Sequence, residues 1–150
     1  GADAVQLFDT WAGLLSVEDY HRIALPATQR AIEVFRERAE RRVPLIHYAK
    51  GSGHLHEAIR TLDIDALSLD WRDDLRANRA SFGDRFAFQG NLDPSRMHGT
   101  PEAARTAAQR VLNEAGDAPG HVFNLGHGFA PGAQIDCVEA VLRLITGESA

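Results

Sequence analysis

Short apolar runs alternate along this chain with longer stretches of helical period. Residues 4–9 (AVQLFD), 43–49 (VPLIHYA), 66–69 (ALSL), 86–89 (FAFQ) and 121–125 (HVFNL) are brief and mostly apolar. Each is bounded by polar residues or glycine, the pattern of strands covered on both faces. Between them the apolar positions recur at three- and four-residue spacing. Ser16 precedes Glu18 and Asp19 as a helix cap, and Val17, Tyr20, Ala24, Ala27, Ala31, Val34 and Phe35 form a stripe running to about Arg41. Pro26 falls inside that stripe and is expected to kink or split the helix. Leu55, Ile59 and Leu62 mark a short helix, and residues 73–82 a longer one stopped by Gly83. Thr100-Pro101-Glu102 opens a helix carrying Ala104, Ala107, Val111, Leu112 and Ala115. A last helix carries Ile135, Val138, Val141, Leu142 and Ile145.

The order is therefore β-α repeated five times, which predicts an α/β protein with parallel strands. The two ends of the strands differ. One end reads Asp9-Thr10, Lys50-Gly51, Asp70-Trp71, Gln89-Gly90-Asn91 and Gly126-His127-Gly128. The other reads Ala2-Asp3, Arg42, Asp65, Arg85 and Gly120. In parallel α/β folds ligands bind at the carboxyl ends of strands, so the first set holds the candidate chemistry.

Composition narrows the field without choosing within it. The 150 residues are 44% hydrophobic and 25% charged, which suits one domain. A net charge of -5 argues against a nucleic-acid binder. No apolar run is long enough for a membrane span, and no charged-then-apolar leader opens the chain. The expectation is a soluble, cytoplasmic protein. The chain starts at a strand without methionine, as a piece of something longer would. Seven histidines and one cysteine show no HxxxH and no CxxC spacing, so no metal site is expected. His54 and His56 form an HxH pair that reads as solvated. Gly51-Ser52-Gly53 lacks the further glycine of a dinucleotide loop.

His127, flanked by Gly126 and Gly128, is the sharpest candidate. Glycines on both sides let the backbone turn tightly or approach a ligand. An imidazole at a strand end can donate to a carboxylate or move a proton. It can equally cap a turn, and spacing alone leaves both open. Thr10 offers a hydroxyl and Lys50 a cation at two other strand ends. Asp9, Asp70, Asn91 and Asp93 read as groups that fix loops. Trp11, Trp71 and Phe129 read as packing, and Met97 and Cys137 as structural.

The set QLFDTWAG, AKG, LDW, QGNLDP and FNLGHG, in this order and spacing, resembles the C-terminal part of uroporphyrinogen decarboxylase across nearly the whole chain. The resemblance implies the last five βα units of a (β/α)8 barrel, usually a homodimer with facing clefts. It implies decarboxylation of the acetate side chains of uroporphyrinogen III to coproporphyrinogen III, with no metal and no organic cofactor. It makes His127 a catalytic and substrate-lining residue and Thr10, where the family usually has serine, a substrate contact. Lys50 stands apart from the resemblance: its place after the second strand suits either a cation near the substrate carboxylates or a solvated surface lysine. A full barrel takes about 250 residues. The family's aspartate and arginines that grip the pyrroles lie in its N-terminal part, and no position here matches them. Association with that missing half, or with a second copy, is the implied partner. Two alternatives remain: a non-enzymatic half-barrel module, and the related zinc-dependent methyltransferases, which the single cysteine disfavours.

Overall fold

The computed structural model describes residues 1–117 and 119–148 of the chain. The five strands are β1 (Val5–Phe8), β2 (Leu45–Tyr48), β3 (Ala66–Ser68), β4 (Ala87–Gln89) and β5 (His121–Val122). They pair in sequence order in one sheet, and every pairing is parallel. The helices follow as α1 (Val17–Asp19), α2 (Leu25–Arg38), α3 (His56–Ile59), α4 (Leu75–Phe82), α5 (Pro101–Ala115) and α6 (Ile135–Thr146). Ser16, Asp74 and Thr100 each cap their helix by accepting a backbone N–H three residues on.

The sheet curls. Gln89 Nε2 on β4 donates to Gln6 Oε1 on β1 at 3.1 Å. Three strand intervals separate these residues, about 14 Å on a flat sheet, where parallel side chains could not meet. Sequential parallel order with inward curl is the architecture of consecutive units of a (β/α)8 barrel. Register assigns the faces: Gln6, Phe8, Ile46, Tyr48, Ala66, Ser68, Ala87, Gln89 and Val122 share the concave side. The convex side presents Leu7, Leu45, His47, Leu67 and Phe88. Its apolar members pack with Leu25, Ile32, Ile59, Leu75, Phe82 and Ala104 in the main core.

The amino ends of the strands are clamped together. Asp65 takes Arg36 at 2.7 Å and Arg42 at 2.8 Å, and also accepts the Leu45 N–H at 2.8 Å. Burial pushes the Asp65 carboxyl up, but Arg42, the Leu45 amide and Arg36 outweigh it and bring it to about 2.

Several expectations change. The α-helical run is interrupted just before Pro26, as the proline leads one to expect, and the buried stripe shifts with it. A five-residue π turn, Tyr20–Ala24, precedes α2, and the Leu25 N–H bonds Tyr20 O. The extra residue rotates the buried face by one position. Leu25, Thr28 and Ile32 are buried, while Ala27 and Ala31 of the expected stripe are exposed. The helix ends at Arg38 rather than Arg41. Residues 121–125 were expected to be a strand buried on both faces. Only two of them pair as a strand, and Val122 is 49% exposed, because β5 is an edge of this sheet. For the same reason Ile135, Leu142 and Ile145 on α6 are exposed, while Val141 of the expected stripe is buried together with Cys137. His56 is buried rather than solvated, with Nδ1 2.8 Å from Asn78 Oδ1.

Candidate functional site

A cleft of about 480 Å³ opens on the concave face at the carboxyl ends of the strands. That size falls in the usual range for small-molecule sites. Its floor is Gln6 and Ser68, its walls Phe8, Tyr48 and Phe129, and its rim Thr10, Asn124 and His127. Strand alternation explains the selection. Gln6, Phe8 and Thr10 are every second residue from β1, so all three face inward while Asp9 faces away.

Thr10 and His127, separated by most of the chain, thus line one cleft. Lys50 is not among its lining residues; its ammonium sits 5.6 Å from the Trp71 ring centroid, on the loop beside the cleft. Trp71 also meets the His127 ring edge-on, with centroids 6.2 Å apart. Among the described residues no group is hydrogen-bonded to the His127 imidazole, so packing fixes it and its nitrogens are left for a ligand.

The loops that carry this rim are tied by one buried carboxylate. Asp70 is fully buried and accepts from Arg72 Nε at 2.8 Å and Nη2 at 2.6 Å. It also accepts the backbone N–H groups of Arg72 and Gly51. Burial raises the Asp70 carboxyl, but these donors outweigh it and hold it below the usual carboxylate range. Asn91 Nδ2 then bonds the Asp70 and Asp73 carbonyls at 2.9 and 2.7 Å, joining a third loop. Asp93 caps the turn after β4 by accepting the Ser95 N–H. Burial raises the Asp9 carboxyl, and the Asp9 backbone links β1 to Tyr48 and to Ala12.

The glycine at 126 has a definite cause. A Cβ there would lie 2.2 Å from the Trp71 nitrogen and 2.7 Å from its Cα. The close approach that glycine permits is therefore to another loop, not to a ligand. Gly128 has open space around its Cβ position. Trp11 and Phe129, expected to pack, are 72% and 57% exposed. Met97 and Cys137 are buried, and Cys137 Sγ approaches Gly99 O at 3.5 Å.

Gln6, Phe8, Tyr48 and Ser68 were not singled out from the sequence. Only period-two alternation from Thr10 could have indicated Gln6 and Phe8. Tyr48 carried no signal, because its partner is 78 residues away. Among the described residues no group of three or more His, Cys, Asp or Glu is placed to hold a metal ion, and no helix is long and apolar enough to cross a membrane.

The family model for uroporphyrinogen decarboxylase matches residues 1–147 of this chain. A uroporphyrinogen decarboxylase of Coxiella burnetii (strain RSA 493 / Nine Mile phase I) is 44% identical over 146 residues, covering 97% of this chain and 40% of that protein. One from Aromatoleum aromaticum is 46% identical over 146 residues, with 97% and 40% covered. The chain therefore spans about two fifths of the length of the relatives it matches. A solved methyltransferase from Methanosarcina mazei superposes with a TM-score of 0.76 over all of this chain and 43% of that one. At 19% identity that likeness bears on the fold alone.

Proposed function

This chain belongs to the uroporphyrinogen decarboxylase family, and from that premise we propose that it forms the His127-bearing part of a barrel that decarboxylates the acetate side chains of uroporphyrinogen. The observation that carries the reading is the convergence of Thr10 and His127 on one cleft at the carboxyl ends of the strands. The walls suit the substrate: Phe8, Tyr48 and Phe129 offer apolar surface to a large macrocycle, and the rim offers a hydroxyl and an imidazole to its carboxylates.

The chemistry needs no cofactor. A proton added to the pyrrole carbon next to the one that bears the acetate makes the ring a conjugated iminium-type electron sink. The bond to the carboxylate then breaks, carbon dioxide leaves, and its electron pair enters the ring. Protonation of the exocyclic carbon gives a methyl group, and loss of the ring proton restores the pyrrole. In this scheme His127 orients the departing carboxylate or moves the proton beside it, and Thr10 donates its hydroxyl to a second carboxylate. Lys50 supplies positive charge near the mouth rather than a direct contact. Asp9, Asp70, Asn91 and Asp93 hold the loops.

Activity requires the rest of the barrel, which supplies the groups that grip the pyrroles. The open edge at β5 and the exposed Val122, Ile135 and Leu142 fit a surface that the rest, or a second copy, covers. The working form is a cytoplasmic homodimer.

The test uses a complete barrel in which this chain replaces the matching residues of the Coxiella burnetii relative. It should decarboxylate uroporphyrinogen, and His127→Ala should slow it. A barrel that folds and binds the macrocycle but never turns it over would instead favour a non-catalytic module.

A further inference from the structure

Tyr48 ends β2 on the concave face, three strand intervals from the segment that carries His127. Its hydroxyl nevertheless donates to the carbonyl oxygen of Gly126 at 2.8 Å. Gly126 directly precedes His127. The Tyr48 ring also meets the imidazole edge-on, with centroids 6.2 Å apart, and is itself braced by Phe8 at 6.0 Å. On its other side the segment has no freedom, because Gly126 lies against the Trp71 backbone and the Trp71 ring abuts His127. Among the described residues the imidazole has no hydrogen-bond partner, so its direction depends on what grips the backbone before it and the rings beside it.

We propose that Tyr48 is a positioning residue for His127, clamping the Gly126 carbonyl with its hydroxyl and the imidazole with its ring so that the His127 nitrogens face the cleft. The inference rests on the reading of His127 as a substrate contact. Burial, helped by the Asp70 charge, pushes the Tyr48 phenol up to about 12, so the hydroxyl remains a donor throughout the pH range of any assay. A phenylalanine here would fill the same space and leave the Gly126 carbonyl without its donor. The difference is one oxygen atom, which makes Tyr48→Phe a clean perturbation.

Two measurements decide it. In the 150-residue chain, the imidazole resonances of His127, assigned through His127→Ala, should move in Tyr48→Phe, while those of His54 and His98 stay in place. In the Coxiella hybrid barrel, Tyr48→Phe should lower kcat/KM about fivefold, the factor one ordinary hydrogen bond commands. In a His127→Ala background the same change should cost nothing further, because the residue it positions is gone. An equal fivefold loss in both backgrounds would overturn the proposal and make Tyr48 a brace of the sheet or a direct contact. Unmoved His127 resonances would overturn it as well. If His127→Ala leaves turnover intact, the proposed function fails, while the resonances still report whether Tyr48 holds the ring.

Discussion

His47 is the residue whose titration should dominate the response of this fold to acid. It sits on the convex face of β2, is 0% exposed, and neither ring nitrogen has a hydrogen-bond partner among the described residues. Burial, with the nearby His56 adding to it, pushes its pKa from 6.5 down to about 4. The fold thus accepts the neutral imidazole and rejects the imidazolium. Because the folded pKa lies below the unfolded one, the unfolded chain takes up the proton first as pH falls. Stability from this group is complete above pH 6.5, declines between 6.5 and about 4, and does not change further below that. A shift of this size, at about 1.4 kcal/mol per unit, is worth roughly 3 kcal/mol at the acid end. That is a large share of the stability of a small domain. Urea unfolding of the parent and of His47→Leu at about pH 7.5, 6.5, 5.5 and 4.5 isolates the effect. The variant should be more stable even at pH 7.5, by about 1–3 kcal/mol, since two unpartnered nitrogens are gone. Its advantage should widen as pH falls. Curves for the two proteins that stay parallel down to pH 4.5 would refute the reasoning.

Other outcomes follow from the rim. Gly126→Ala places a methyl 2.2 Å from the Trp71 nitrogen and should cost about 3 kcal/mol, whereas Gly128→Ala meets nothing and should stay within about 0.5 kcal/mol; thermal unfolding of both checks the contrast. Thr10→Val keeps the shape and removes the hydroxyl, so in the hybrid barrel it should raise KM or lower kcat by less than His127→Ala does, as steady-state kinetics will show. Sedimentation of the chain should reveal a dimer or larger species, and a clean monomer across a wide concentration range would contradict the covered-edge reading.

The strands were legible because each is a short apolar run between polar punctuators, and the parallel order followed from the helices between them. What failed depended on partners or on backbone register. The stripe expected from Ala24 to Val34 moved because a π turn before Pro26 inserts a residue, and a 3.6-residue count cannot foresee that. Val122 and Leu142 are apolar and read as buried, but burial depends on a neighbour that this sheet does not include. His127 stood out through its flanking glycines, although the reason for Gly126 is a loop contact rather than a ligand. Lys50 was placed at the right strand end, yet its ammonium rests over Trp71. Tyr48 was invisible because its role is a bond across the cleft, and its neighbours in sequence say nothing about it.

The most direct measurement is carbon dioxide release from uroporphyrinogen by the hybrid barrel and its His127→Ala variant, with the chain alone as control. A lost hydrogen bond to a charged carboxylate is typically worth about 1.5–3 kcal/mol, which corresponds to a fall of roughly 10- to 200-fold in kcat/KM. The expected outcome is that fall, no turnover by the chain alone, and unchanged folding of the variant. Full activity in His127→Ala, or turnover by the isolated 150 residues, would contradict it.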